Sequence, residues 1–212
     1  MACTTDELVR RAEAVGNALK AAGASVVTVE SCTGGWVGQC LTGVGGASAW
    51  YERGFVAYSN RSKIELLGID PVLIDQHGAV SGPAVLAMVD GGLERSHADY
   101  GVAISGISGP GGGYPDKPVG TVYFCWKARN GTSIDEREVF SGDRQRIRRQ
   151  TVIHALKGLL RVIAGGAQFV RFNTVIQCFN WYADLVGCEI ITYPAATLDW
   201  GSNGLVPVPT LI

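Results

Sequence analysis

The sequence lacks any long apolar run: no stretch reaches the roughly 18 to 20 consecutive apolar residues that a membrane-spanning helix needs. Its first ten residues also lack the apolar segment of a signal peptide. The chain also has no large excess of positive or negative charge, because 18 Lys and Arg residues and 19 Asp and Glu residues give a net charge of -1. Such a chain has no overall basic field for nucleic acid. We therefore expect a cytoplasmic protein that binds neither a membrane nor nucleic acid.

Patterns that bind metal ions are also missing. The six cysteines include no Cys-x-x-Cys pair, and the three histidines are too few and too dispersed to form a cluster. We therefore expect no metal site. The cysteines are expected to be free thiols in a reducing compartment.

What the sequence does contain is an alternation of helical and strand patterns. Apolar residues at helical spacing, or runs of β-branched residues, mark each element, and Asn130-Gly131 is a strong turn signal for an antiparallel hairpin. Predicted strands cover residues 25–29, 54–59, 100–105, 121–128 and 133–140. Predicted helices cover residues 8–22, 63–67, 82–93 and 143–163, with another that ends near residue 41. The alternation predicts an α/β fold with a mixed sheet.

The composition changes after residue 164. Beyond Gly165-Gly166, which we expect to end the last helix, the sequence contains no lysine and few charges, while aromatic residues are spread over irregular sequence. We therefore predict a main domain over residues 1–164 and a C-terminal extension, of unknown role, over residues 165–212.

Ser31 and Thr33 lie where the first predicted strand turns into a helix. Unpaired backbone N–H groups and the positive end of the helix dipole meet at such a turn, and together they favour an anion or a developing oxyanion. The same pattern also fits a simple helix cap, with Gly34 and Gly35 allowing close packing. The spacing alone leaves both interpretations open.

A serine nucleophile needs a group that accepts its proton, and no histidine lies near Ser31 in the sequence. Lys63 is the candidate base. It follows a strand that ends near Tyr58, and the carboxyl ends of parallel strands meet at one edge of a sheet. Partial desolvation there would lower the pKa of its amine. An ordinary solvated surface lysine is the competing interpretation.

Two further segments could contact an anionic ligand. The loop that contains Gly109, Gly111 and Gly112 allows backbone to approach a ligand closely, although it matches neither the phosphate-loop nor the dinucleotide pattern. Arg144 and Arg149 belong to a cluster of four arginines at the beginning of the last helix, where the helix dipole is already positive. A phosphate group would explain this cluster, and so would neighbouring acidic side chains.

Six motifs, taken together, are highly specific. They are Glu-Ser-Cys-Thr-Gly-Gly at 30–35, Tyr-Glu-Arg-Gly-Phe-Val-Ala-Tyr-Ser-Asn-x-x-Lys at 51–63, Leu-Leu-Gly-Ile at 66–69, His-Gly-Ala-Val-Ser at 77–81, Gly-Ile-Ser-Gly-Pro-Gly-Gly-Gly at 106–113 and Lys-Pro-Val-Gly-Thr-Val at 117–122. With these motifs the chain resembles, from about residue 5 to residue 163, the C-terminal domain family of the competence-damage protein. Stand-alone members of that family are nicotinamide-nucleotide amidases, which convert nicotinamide mononucleotide to nicotinic acid mononucleotide and ammonia in pyridine nucleotide recycling.

The resemblance implies a three-layer α/β/α sandwich around a mixed, mostly parallel sheet, and a serine amidohydrolase that needs no metal or other cofactor. It implies Ser31, Lys63 and Tyr58 as the catalytic residues, a small-molecule nucleotide as the partner, and a homo-oligomer. Ser105 stands where the family usually has threonine, so a hydroxyl is kept. The residues expected to bind substrate are Thr33, Gly34, Ser105, Gly109, Gly111, Gly112, Arg144 and Arg149, and the arginine that meets the phosphate is one of those within residues 144–149.

In the mechanism that we expect, Ser31 attacks the carboxamide carbon and Lys63 passes the hydroxyl proton toward the departing ammonia, while backbone N–H groups of residues 32–34 hold the oxyanion.

Two rival hypotheses remain. One is a catalytically silent nucleotide-binding or regulatory module linked to competence or DNA damage, since a fold does not dictate activity. The other makes Cys32, at the beginning of a helix, a thiol of lowered pKa and the true nucleophile.

Overall fold

The computed structural model describes residues 4–129, 131 and 133–167, with side chains from residue 7 to residue 165. Its helices are α1 (Thr4–Ala22), α2 (Trp36–Thr42), α3 (Asn60–Leu67), α4 (Pro71–His77), α5 (Gly82–Glu94) and α6 (Arg144–Ala167), and a short 3-10 turn covers Ala47–Ala49. Its strands are β1 (Val26–Glu30), β2 (Tyr51–Val56), β3 (Tyr100–Gly106), β4 (Thr121–Ala128) and β5 (Ser133–Val139). Among the described helices, none has the length and apolar character that crossing a bilayer requires.

The five described strands form one mixed sheet in the order β2-β1-β3-β4-β5. Strand β1 lies parallel to both β2 and β3, whereas β4 is antiparallel to β3 and to β5. Four of these strands therefore point the same way, which confirms the mixed, mostly parallel sheet. The predicted hairpin forms the β5 edge. Parallel pairing of β1 with β2 places the carboxyl ends of these two strands side by side.

Helices cover both faces of the sheet, because the buried strands alternate their side chains between two apolar layers. On one face, Val27 and Val29 of β1 pack with α5 and with residues from α3 and α4. On the other face α6 packs on β4, where Trp126 Nε1 donates to Ala155 O at 2.9 Å, and α1 packs on α6. The three-layer α/β/α architecture is confirmed.

Several elements differ from the sequence prediction. Strand β2 begins and ends three residues earlier than expected, because Ser59 leaves the sheet to cap α3 through a capping box with Ser62. Helix α4 was not predicted at all, although Asp70 caps it. Helix α6 continues through Gly165 to Ala167 instead of ending at the glycine pair. The rest of the predicted extension, residues 168–212, lies outside the described residues.

Candidate active site

The turn after β1 presents Ser31 at the carboxyl edge of the sheet. Gly34 and Gly35 have φ angles of 63° and 91°, a left-handed conformation that glycine adopts without strain, and they lead the chain into α2. The buried Glu30 carboxylate accepts hydrogen bonds from Val37 N at 3.1 Å and Gly38 N at 2.8 Å. These bonds satisfy N–H groups at the beginning of α2 and thereby fix the turn that carries Ser31.

Lys63 reaches this serine from the neighbouring strand-to-helix connection. It lies in the first turn of α3, it is only 1 % exposed, and its Nζ lies 3.1 Å from Ser31 Oγ. The same nitrogen donates to Ala57 O at 2.9 Å and Tyr58 O at 3.2 Å. The structure thus brings together the two side chains that the sequence had paired on the argument of parallel strands.

These three contacts suit a neutral amine. Two partners of Lys63 Nζ are carbonyl oxygens, which can only accept, so they take the two N–H groups of an unprotonated lysine. In that neutral form, the remaining lone pair of Nζ can accept the proton of the Ser31 hydroxyl, whose oxygen lies 3.1 Å away. Burial lowers the pKa of Lys63, with a smaller opposing contribution from Cys32. Within the described residues no carboxylate lies within ion-pair distance of this amine, so Lys63 can act as a base toward Ser31.

Tyr58 lies at the rim of the site rather than beside the nucleophile. The residue is 58 % exposed, and its hydroxyl accepts a hydrogen bond from Arg144 Nη2 at 3.0 Å. Arg144 Nη1 donates to Gly109 O at 2.8 Å. The tyrosine and the glycine loop therefore hold the Arg144 guanidinium at the mouth of the site, while the Tyr58 backbone carbonyl contacts Lys63.

Ser31 and Lys63 line a small inner cavity of about 170 Å³. Its wall includes Ser105 and Cys32, and Arg144 lies at its rim. The buried Ser105 hydroxyl donates to Ala79 O at 2.6 Å, so its oxygen keeps lone pairs that can accept a hydrogen bond from a bound amide N–H. The hydroxyl that replaces the family's threonine is thus in the cavity.

A larger and more open outer cavity, about 530 Å³, adjoins this site. Gly34, Trp36, Arg144 and Arg148 line it. Because Arg144 borders both cavities, a ligand can place one group beside Ser31 and another in the outer cavity while it remains in contact with one guanidinium.

Several residues predicted to bind substrate lie elsewhere. Thr33 is fully buried, and its hydroxyl has no hydrogen-bond partner among the described residues. Gly111 and Gly112 are not among the described residues that line the two cavities, and neither is Arg149. Arg149 Nη2 lies 3.7 Å from a carboxylate oxygen of Glu7 on α1, so it serves the packing of two helices.

The structure adds Arg148, which the sequence analysis had not selected from the arginine cluster. Its Nε donates to Cys32 O at 3.0 Å and its Nη2 to Thr33 O at 2.6 Å, and its guanidinium lies 5.5 Å from the Trp36 ring centroid. The sequence did contain a signal for Arg148. Arg144 and Arg148 are four residues apart and therefore lie on one face of the helix, whereas Arg149 lies on a different face.

Cys32 does not have the properties of a reactive thiol. Burial raises its pKa to about 11, against a smaller lowering by the Ser108 hydroxyl, so the thiol is protonated at neutral pH. The shift is opposite to the one that a cysteine nucleophile requires. The described free cysteines are Cys32, Cys40 and Cys125.

One group of three potential metal ligands occurs within the described residues. Glu136, Glu138 and His154 offer oxygen and nitrogen atoms within 4.8 Å of one another. Glu136 already accepts from Arg161 at 2.7 Å and lies 2.7 Å from His154 Nε2, and the Arg161 hydrogen bond is the main reason for the lowered pKa of that carboxylate. The group lines neither cavity described above.

Comparison with known proteins connects this geometry to a family. A family model, described as the CinA C-terminal domain, matches residues 9–163. The chain belongs to this family. A curated relative from Escherichia coli strain K12, named nicotinamide-nucleotide amidohydrolase PncC, is 53 % identical over 156 residues, which cover 74 % of this chain and 94 % of the relative. A relative of the same name from Pseudomonas putida is 48 % identical and is covered to 98 %.

Solved structures agree with the assignment to the CinA C-terminal domain family. The crystal structure of the competence/damage inducible protein CihA from Agrobacterium tumefaciens matches with a TM-score of 0.72 at 39 % identity. That match covers 74 % of this chain and 95 % of the other. The competence damage-inducible protein A from Klebsiella pneumoniae matches with the same TM-score at 34 % identity, over 74 % of this chain and 97 % of the other.

Proposed function

We propose that this chain is an amidohydrolase that converts nicotinamide mononucleotide to nicotinic acid mononucleotide and ammonia. One contact supports this function above all: the buried Lys63 amine lies 3.1 Å from the Ser31 hydroxyl in a cavity of about 170 Å³. The curated relatives at 53 % and 48 % identity are named for this reaction. A hydroxyl with its base in a small cavity is the arrangement that acyl transfer requires.

The first half of the reaction forms an acyl-enzyme. Ser31 Oγ attacks the carboxamide carbon while its proton moves to the neutral Lys63 Nζ, and the carbonyl oxygen becomes an oxyanion. Backbone N–H groups of the turn after β1 stabilise that oxyanion. When the C–N bond breaks, the proton on Lys63 passes to the departing nitrogen, which leaves as ammonia. Lys63 is then neutral again and Ser31 is esterified.

The second half restores the enzyme. Water attacks the ester carbon, Lys63 accepts a proton from that water, and a second oxyanion forms in the same place. When the ester C–O bond breaks, the lysine returns the proton to Ser31 Oγ and nicotinic acid mononucleotide is released. One lysine thus serves both half-reactions, because it is neutral at the beginning of each.

The two cavities suggest how the substrate binds. At about 170 Å³ the inner cavity is smaller than a typical pocket for a whole drug-sized ligand, so we place the nicotinamide ring there, with its amide nitrogen near Ser105 Oγ. The ribose phosphate then extends to the outer cavity and to Arg144, which Tyr58 and Gly109 hold in place. Binding of the remote phosphate would fix the amide at Ser31.

Ammonia release by the purified full chain tests this function. We expect release from nicotinamide mononucleotide, none from Ser31→Ala, and a much lower rate with nicotinamide, which lacks the ribose phosphate. Nucleotide binding by calorimetry without ammonia release, from folded wild-type protein, would instead favour the silent binding module.

The oligomeric state of the chain and the role of its C-terminal extension are further proposals. We propose a homo-oligomer, and the mass of the full chain in solution tests it, since a monomeric mass would exclude it. Residues 165–212 are the predicted extension, and its role is tested by removing the residues after Gly165 and measuring both the mass in solution and the ammonia release.

A further inference from the structure

Arg148 contacts two successive peptide groups of the turn that carries the nucleophile. Its Nε and Nη2 donate to Cys32 O and Thr33 O, at 3.0 and 2.6 Å. The guanidinium is half-buried against the Trp36 ring. A planar fork of donors suits such a pair of carbonyls, whereas a lysine ammonium has no comparable planar geometry.

These contacts determine where the N–H groups of the turn point. In a trans peptide the C=O and the following N–H point in opposite directions. Holding Cys32 O at Arg148 therefore directs Thr33 N–H to the opposite side of the turn, and holding Thr33 O does the same for Gly34 N–H. Gly34 N in turn donates to Ser31 O at 3.0 Å, which orients Cys32 N–H by the same rule. Arg148 thus fixes three consecutive peptide planes, one of them indirectly.

One of the oriented N–H groups, that of Cys32, is both unused and in the wall of the inner cavity. Among the described residues, no hydrogen bond to another residue uses the backbone N–H of Cys32, whereas Thr33 is fully buried and lines neither cavity. Cys32 follows the nucleophile directly, the position that supplies an oxyanion donor in other serine hydrolases. The Arg148 charge also polarises Thr33 O, which strengthens the Gly34 N–H as the donor that holds Ser31 O and thereby orients Cys32 N–H.

We propose that Arg148 is a positioning residue that preorganises the Cys32 N–H group as an oxyanion donor beside Ser31. This inference rests on the proposed amidase function. It assigns to Arg148 a role different from that of Arg144, whose guanidinium contacts the rim of the inner cavity. Arg148 acts through the backbone, so its loss should affect the chemical step rather than the capture of the phosphate.

The test compares Arg148→Gln and Arg148→Lys in the full chain, with Lys157→Ala as a control because Lys157 is an exposed cation on the same helix. Ammonia release is measured with nicotinamide mononucleotide and with unphosphorylated nicotinamide riboside. Loss of one oxyanion donor lowers kcat by about 100- to 1000-fold, so we expect Arg148→Gln to lose about 100-fold in kcat on both substrates. KM should change by less than about 3-fold, and Arg148→Lys should recover part of the loss.

Two results would overturn the proposal. A raised KM that appears only with the phosphorylated substrate would show that Arg148 is a phosphate ligand. An unchanged kcat in both Arg148 variants would show that Arg148 has no role in the chemical step. A second readout does not need turnover: a fluorophosphonate should phosphonylate Ser31 with release of fluoride, and the phosphoryl oxygen of the adduct should accept from the same donor. We expect its inactivation rate to fall in Arg148→Lys, which keeps the charge. If wild-type protein released no ammonia but Arg148 still controlled this rate, the amidase function would fail and the positioning role would stand.

Discussion

Replacing Lys63 with methionine should separate catalysis from stability. Methionine keeps an unbranched apolar stem of similar length but has no amine for the Ser31 hydroxyl, which lies 3.1 Å from Lys63 Nζ. A general base contributes about 100- to 10,000-fold to a rate, or about 3 to 5 kcal/mol of activation free energy. We therefore expect kcat/KM for nicotinamide mononucleotide to fall by at least about 100-fold in Lys63→Met.

The stability effect has the opposite sign. Burial lowers the pKa of Lys63 below its ordinary value of 10.5, so the folded protein releases this proton at a lower pH than the unfolded chain does. Between the two pKa values the unfolded state binds more protons, and the free energy of unfolding rises with pH, by at most about 1.4 kcal/mol per pH unit. Below the folded pKa the buried ammonium carries its full cost. Lys63→Met lacks this titration, so near neutral pH it should unfold no more easily than the wild type.

Two measurements over the same pH range check this reasoning. In the wild type, kcat/KM from ammonia release should rise with pH up to the lowered pKa of Lys63 and then level off, whereas urea unfolding should show stability rising from that pKa up to the ordinary value of 10.5. Lys63→Met should lose both trends. Lys157→Met, at an exposed position on α6, should keep both. Turnover of Lys63→Met within about 3-fold of the wild type would refute the assignment of Lys63 as the base.

Three further changes have defined outcomes. Arg144→Gln removes a charge-assisted contact worth about 1.5 to 3 kcal/mol, so KM for nicotinamide mononucleotide should rise at least about 10-fold while KM for nicotinamide riboside stays within about 2-fold, by steady-state ammonia release. Cys32→Ala should keep kcat within about 3-fold, because a thiol with a pKa of about 11 is protonated at neutral pH, and abolished turnover would make it the nucleophile. Gly158→Ala should cost about 1 to 3 kcal/mol in urea unfolding, because its Cβ would overlap the Trp126 ring, whereas Gly165→Ala, which meets open space, should not.

Much of the fold follows from local sequence signals. Asn130-Gly131 with its flanking alternation predicts the β4–β5 hairpin, and β-branched or apolar runs predict β1 and β3 to within one or two residues. Helix α4 could not be predicted in this way. It has only seven residues and Ile74 is the one buried residue among them, so its apolar periodicity is too weak to register.

The pairing of Ser31 with Lys63 was predictable because parallel strands bring their carboxyl ends together whatever lies between them in sequence. The position of the Thr33 side chain was not predictable from the sequence. Its side chain is buried inside the turn rather than directed at a cavity, and that depends on how Gly34 and Gly35 bend the backbone and on how Arg148 reaches it from α6. Contacts between residues more than a hundred positions apart carry no local signal.

The arginines at the beginning of α6 show why the sequence left two explanations open. The positive end of a helix disfavours cations unless an anion compensates. Arg149 has the Glu7 carboxylate at 3.7 Å, so acidic neighbours explain that residue. Within the described residues, Arg144 and Arg148 instead donate to neutral groups, three carbonyl oxygens and the Tyr58 hydroxyl. Such bonds orient the two guanidinium groups without neutralising them. Arg148 is held on the turn that carries Ser31, whereas Arg144 borders both cavities, so the compensating charge that this end of the helix lacks is one that an anionic ligand would bring to Arg144.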